Sequence, residues 1–275
     1  MNLTSPTIIK ELLAKYETRP SKGLGQNFLI DKNILRKIVE ASEIKPTDII
    51  LEVGPGIGVL TQELAKHAKK IVSIEKSETM CKILKETIKD FSNVEIINDD
   101  ILKYKFKLPK GEGSYKVVAN IPYYLTSPLI RNFLEEKNQP EEIVLMIQKE
   151  VAQRICSVPP QMNLLAVSVQ FYATAKIISY VPNSCFWPAP KIDSAIIKIT
   201  PFSTKPKIAA DEFFEVVRAG FSQPRKQLAG NLSKILKIEK QEIDNWLLKN
   251  SIQPTQRAET LSIKDWESLA SSFKK

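Results

Sequence analysis

The chain is short of the residues on which much covalent and metal chemistry depends. Its three cysteines, Cys81, Cys156 and Cys185, are far apart and odd in number, with no C-x-x-C pair. That spacing suggests neither a disulfide framework nor a cysteine zinc site. His67 is the only histidine, so a histidine triad or multi-histidine metal site would have to rest on it alone, and no metal is expected. Long apolar runs are missing too. The most apolar stretch, residues 164–175, contains Gln170 and falls short of the roughly 20 residues that span a bilayer. The amino terminus, MNLTSPTIIKELL, has no basic segment leading into a long apolar one, and Glu11 interrupts it. No secretory signal and no membrane partner are expected, and a soluble, cytoplasmic protein is.

What the chain does contain is ordinary in amount and unusual in sign. With 275 residues, 43% hydrophobic and 26% charged, it can bury a large core, alone or beside a smaller one, and disordered or fibrous classes are disfavoured. The net charge is +9, a surplus of cations that favours phosphate-rich partners. Beyond Thr200 there are 13 basic and 9 acidic residues, a local +4 that leaves +5 for the rest, so the surplus is no detachable tail. Arg19, Lys22, Arg218, Arg225 and Lys226 are the residues expected to meet nucleic acid, a solvated helix face being the plain alternative.

Residues 48–122 alternate short apolar runs with helix-like segments, the pattern of βα units that build a parallel sheet. DIILEV, KIVSIE, VEIIND and YKVVAN read as strands, and VLTQELAKHA and ETMCKILKETIKD as helices. EEIVLMIQ, NLLAVSVQFYA and SAIIKIT are further strand candidates, the last with the alternation of an antiparallel strand. After PFSTKPK the strand signals stop, and DEFFEVVRAGF, KQLAGNLSKIL and EKQEIDNWLLKN predict helices. The expected organisation is an α/β domain over residues 1–200, with an antiparallel edge, and a smaller all-helical domain over residues 201–275.

LEVGPGIGVL places Gly54, Gly56 and Gly58 between a strand and a helix, where glycine allows a tight turn and a close approach of ligand to backbone. A dinucleotide fingerprint would need glycine at position 59, which is Val59, and the G-K-[ST] of a P-loop is missing. G-x-G-x-G in this setting resembles the S-adenosylmethionine loop of Rossmann-like methyltransferases. The next strand ends in Glu75, whose carboxylate can accept from both hydroxyls of a ribose, and the following one in Asp99–Asp100, able to accept from an adenine amine. Either acid read singly is also a helix N-cap. A fourth strand would bring Asn120 to the same rim within VANIPYYLTS. Its side-chain oxygen is an acceptor, Pro122 holds Ile121 extended so that its carbonyl faces outward, and Tyr123 offers a face for a base. Two acceptors on an exocyclic amine would aim its lone pair at a methyl donor, which is positional and electrostatic catalysis.

LGQNFL at residues 24–29, LEVGPGIGVLT, SIE, NDDIL, NIPYYLTSP, FWPAPKIDSAI and RAGFSQPRKQLAGNL follow one another in an order that covers most of residues 19–232. In this the chain resembles the ribosomal RNA adenine N6,N6-dimethyltransferases, most closely those of the bacterial small subunit. The resemblance implies a class I methyltransferase sheet with a helical C-terminal domain, S-adenosyl-L-methionine as cofactor, and small-subunit (16S) rRNA in a ribosomal particle as substrate, with the protein acting as a monomer. It also implies that Asn27 and Leu29 close over the methionine end, that Gly54 lines the loop, that Glu75 holds the ribose and Asp100 the adenine, and that Asn120 serves cofactor and target amine. Phe186 would meet the second face of the target base. Two departures stand out: residues 157–163 replace a glycine- and lysine-containing loop, and Pro224 stands where the family usually has an arginine. A non-catalytic RNA-binding assembly factor and a large-subunit methyltransferase of the erythromycin-resistance type are the alternatives.

Overall fold

Parallel strands buried on both faces are apolar almost throughout, and the segment IILEV of Ile49–Val53 is buried at every position, Glu52 its one polar residue. The computed structural model describes residues 1–21, 23–108 and 113–273, which divide into two compact units. The first comprises Met1–Ala152 and Ala175–Pro201, the second Gln153–Thr174 and Phe202–Lys275. In chain order the elements run α1 (Pro6–Lys15), β1 (Phe28–Leu29), α2 (Lys32–Ala41), β2 (Ile49–Val53), α3 (Val59–Leu64), β3 (Lys70–Glu75), α4 (Glu78–Thr87), β4 (Val94–Asn98) and β5 (Lys116–Asn120). They continue with α5 (Thr126–Glu135), β6 (Glu142–Gln148), α6 (Lys149–Ile155), α7 (Leu164–Gln170), β7 (Ala173–Val181), β8 (Phe186–Trp187) and β9 (Ser194–Pro201). Four helices close the chain: α8 (Ala210–Gly220), α9 (Leu228–Leu236), α10 (Lys240–Lys249) and α11 (Ile263–Ser272).

The main sheet has seven strands in the order β4-β3-β2-β5-β6-β9-β7. The β2/β3, β3/β4, β2/β5 and β5/β6 pairs are parallel, and β9 runs antiparallel to β6. This is the expected α/β sheet with its antiparallel edge. The chain builds outward from β2 through β3 to β4, then returns to β5 on the other side of β2, so the sheet reverses direction between β2 and β5. Ligands of open α/β sheets bind outside the strand ends at such a point.

Local signals fix the helices that flank it. Asp31 caps α2, its side chain accepting from the N–H groups of Asn33 and Ile34, and Ser77 caps α4 by accepting from Met80. Helix α2 turns Ile34, Leu35 and Ile38 into the core. At the opposite end of the strands, buried Lys116 donates to the carbonyls of Ser42 (3.1 Å) and Glu43 (2.7 Å) and pairs with Asp48 at 2.9 Å, while Lys198 donates to Ala41 at 3.1 Å. Two lysines therefore satisfy the last carbonyls of α2, where a cation also meets the negative end of the helix dipole. Gly58, at φ +89°, opens α3, and a Cβ there would lie 2.7 Å from Leu84 Cδ1. The third glycine of the loop thus serves helix packing.

The second unit has its own core. Phe171 stacks on Phe213 with centroids 3.9 Å apart, and Trp266, Leu228 and Leu232 are fully buried with them. Its helices α9 and α10 fall within the segments expected to be helical, and α8 begins one residue before its segment. The segment NLLAVSVQFYA, expected as a strand, is instead helix α7 as far as Gln170. Asn163 caps that helix by accepting from Ala166 N at 3.0 Å, and Ser168 bonds back to the Leu164 carbonyl. A short apolar run fits a buried helix as well as a strand, and packing in the Phe171 cluster decides it. Among the described residues no helix is long and apolar enough to cross a membrane.

Candidate active site

The register of β2 against β3 sets the geometry at the top of the sheet. Val53 lies opposite Ile74, so Glu75 emerges beside the loop that follows Val53. Gly54 and Gly56 take φ of +64° and +56°, values natural to glycine. The loop folds back so that Gly56 N donates to Glu75 Oε2 at 3.2 Å, while Ser77 N donates to Oε1 at 2.8 Å. Backbone N–H groups therefore aim both carboxylate oxygens, which keep acceptor capacity beyond these bonds. Burial pushes the Glu75 carboxyl above its usual range, against the opposing N–H bonds from Ser77, Gly56 and Lys76.

The next strand end is coupled to this one. Asn98 donates from Nδ2 to the Glu75 carbonyl at 2.8 Å. Just beyond it Asp100 accepts from Leu102 N through Oδ1 and from Lys76 Nζ, 2.9 Å away, through Oδ2. The Lys76 hydrogen bond, more than any other contact, holds the Asp100 carboxyl below its usual range. Strand β5 ends in Asn120, followed by buried Ile121 and by Pro122 at φ −55° and ψ 133°. Residues Tyr123–Leu125 form a 3₁₀ turn in which Leu125 N takes the Pro122 carbonyl at 3.0 Å and Thr126 Oγ1 takes that of Tyr123 at 3.0 Å. The Tyr123 hydroxyl lies 2.9 Å from Ser194 Oγ. Burial raises its phenol above the usual value, so the ring stays neutral.

A two-stranded ribbon brings in the remaining residues. Strand β1 pairs antiparallel with β8, Phe28 opposite Trp187 and Leu29 opposite Phe186. One cavity results, lined by Asn27 and Leu29 from the ribbon, Gly54 from the loop, Glu75 and Asp100 from two strand ends, and Asn120, Tyr123 and Phe186 opposite. All eight residues singled out in the sequence for cofactor or base meet there. Gln26, Glu52, Lys76 and Tyr124 line it too and were not anticipated. Of these, Glu52 carried a signal, a lone carboxylate in an otherwise apolar strand.

The basic residues lie elsewhere. Arg19 in the first unit and Arg218, Arg225 and Lys226 in the second are exposed. Arg225 and Lys226 line a cleft of the second unit with Lys234 and Arg257; Lys22 falls outside the described residues. His67 is about half exposed, 3.9 Å from Glu63 and outside the cavity lining.

Comparison with known proteins gives a consistent result. A sequence profile described as "Ribosomal RNA adenine dimethylase" matches residues 17–275. A protein of Dehalococcoides mccartyi named "Ribosomal RNA small subunit methyltransferase A" is 42% identical over 267 residues, 96% of this chain and 92% of that one. Among solved structures, a dimethyladenosine transferase from Plasmodium falciparum superposes with a TM-score of 0.75 at 28% identity, covering 88% of this chain and 95% of that one. A 23S rRNA methyltransferase does so with a TM-score of 0.73 at 25% identity, covering 89% and 98%.

Glu52 has a testable electrostatic signature. It is 1% exposed, and its Oε2 accepts from Thr61 Oγ1 and Ser73 Oγ, both at 2.8 Å. Burial pushes its carboxyl up to about 7 from an ordinary 4.5, the two hydroxyls opposing the rise. The folded state then binds a proton more tightly than the unfolded chain, so this stability is fully present below pH 4.5 and is lost as pH rises toward 7. Glu52→Gln should flatten that loss, and thermal unfolding from pH 5 to pH 8 should show the variant gaining on the wild type by about 2–3 kcal/mol. A constant gap across the range would mean that Glu52 is ionised throughout.

Proposed function

Because the chain belongs to the ribosomal RNA adenine dimethylase family, we propose that its cavity holds S-adenosylmethionine beside an extruded adenine, and that it dimethylates N6 of adenosines in small-subunit rRNA. The observation that carries this reading is the convergence of Glu75, Asp100 and Asn120, acceptors on three strand ends, in one cavity with Tyr123 and Phe186. The choice of small over large subunit rests on the curated relatives, since the fold is shared with a large-subunit enzyme. We take the substrate to be rRNA in a ribosomal particle and the protein to act in the cytoplasm as a monomer.

The residues present fit the cofactor. Glu75 keeps acceptor capacity for a ribose diol, and Asp100 lies one strand further out for the adenine amine. Gly54 and Gly56 hold positive φ, which L side chains rarely adopt, so the loop backbone itself calls for glycine where the ligand would approach it. Asn27 and Leu29 would close over the methionine end. When bound, S-adenosylmethionine supplies an electrophilic methyl group on a sulfonium. The protein's part is to hold the acceptor amine, which is a poor nucleophile because its lone pair is delocalised into the ring. The Asn120 side-chain oxygen takes one N–H. The Pro122 carbonyl is committed to Leu125, so the Ile121 carbonyl is the second acceptor in this reading. Held at both hydrogens, the amine is drawn toward a pyramidal shape with its lone pair directed at the methyl. Tyr123 and Phe186 would stack on the base, contacts worth about 1–3 kcal/mol each. Arg19, Lys22, Arg218, Arg225 and Lys226 would neutralise backbone phosphates.

Two measurements test this reading. Asn120→Ala should fold and bind rRNA like the wild type, yet transfer methyl groups about 10²-fold more slowly. Its product should shift toward monomethyladenosine, because the monomethyl amine keeps only one N–H. Quantifying both nucleosides after digestion checks this, and a wild-type rate and ratio would remove Asn120 from the chemistry. Reversing Arg225 and Lys226 to Glu should weaken rRNA binding and flatten its salt dependence while S-adenosylhomocysteine affinity, measured by calorimetry, stays the same. Unchanged rRNA affinity would take the second unit's cleft out of the interface.

A further inference from the structure

Tyr123 is held at both ends, and only one end belongs to its own motif. Its backbone is fixed by the 3₁₀ turn and by Thr126 Oγ1 on its carbonyl at 3.0 Å. Its hydroxyl meets Ser194 Oγ at 2.9 Å, a residue 71 positions away. Ser194 is fully buried, opens β9 and lies opposite Gln148 at the end of β6. That antiparallel register is what brings it to the edge of the sheet where the cavity opens. It is not among the residues lining the cavity.

We infer that Ser194 is a positioning residue that sets the plane of the Tyr123 ring and thereby favours completion of the second methyl transfer. The inference rests on the reading of Tyr123 as the stacking face for the target adenine. A tyrosine ring turns about two torsions, and a hydrogen bond at its far end removes the freedom that the backbone contacts leave. The first transfer has two N–H bonds and the stack to orient the amine. The second has one N–H, a larger group to accommodate, and a greater dependence on the stack. A loosened ring therefore costs the second step more than the first.

The test uses the full-length protein with rRNA substrate and four variants: Ser194→Ala, Tyr123→Phe, the double variant and Tyr123→Ala. Ser194→Ala and Tyr123→Phe each remove the same hydrogen bond. Each should lower kcat about three- to tenfold, leave KM for S-adenosylmethionine unchanged, and raise the ratio of monomethyl- to dimethyladenosine. The double variant should be no worse than the more affected single one, because the two deletions act on one bond. Additive losses, or wild-type rate and product ratio in Tyr123→Phe, would overturn the inference; the latter also decides the matter should Ser194→Ala not fold. If Tyr123→Ala is crippled while Tyr123→Phe is normal, the stacking role survives and the Ser194 role falls. If Tyr123→Ala behaves as wild type, both fall.

Discussion

The hydrogen bond from Gly56 N to Glu75 Oε2 is the contact on which the candidate site depends. It exists because β2 and β3 pair in a parallel register that ends both strands at one level, with Val53 opposite Ile74. A slip of one residue would turn Glu75 to the other face of the sheet and uncouple it from the loop. The neighbouring strand ends come to the same level: Asn98 lies opposite Glu75, and the pairing of Leu51 with Val117 carries β5 to Asn120 just past the end of β2. A flat row of polar termini above an apolar sheet is what an elongated nucleoside ligand requires.

Charged side chains are buried at both ends of the strands of that sheet. At the amino-terminal ends of the parallel strands Lys116 and Lys198 bond the carbonyls that end α2, while Glu142, paired with Lys198, keeps a buried Oε1 without a partner among the described residues and a carboxyl raised by burial. Toward the carboxyl ends Glu52 and Glu75 are buried at the same kind of cost, both carboxyls raised by desolvation. Hydroxyls and backbone N–H groups offset only part of that cost. Shifted carboxyls cluster at functional sites, and of these Glu52 and Glu75 line the cavity. Lys76 adds a further element, since it occupies one oxygen of the acid assigned to adenine.

The sheet was legible because parallel strands leave a continuous apolar run, and because a glycine loop and a strand-end acid occur at fixed places relative to such runs. Asn120 and Tyr123 could be placed from the strand that precedes them, whereas Phe186 needed the family likeness, since by itself an aromatic in FWPAP reads as core. Helix α7 was misread because Leu, Val and Ala in a seven-residue run carry no decisive period, and its cap and core partners lie outside the run. The packing role of Gly58 and the bond from Ser194 to Tyr123 depend on contacts across 26 and 71 residues. Nothing in the local sequence announces contacts of that range.

The central claim is that the strand-end acids form a preorganised seat for a nucleoside. A crystal structure of the protein with S-adenosylhomocysteine tests it most directly. The ribose hydroxyls should lie within hydrogen-bonding distance of both Glu75 oxygens, with the bonds from Gly56 and Ser77 still in place. A ribose held elsewhere, or a Glu75 side chain turned away from the loop, would contradict the account.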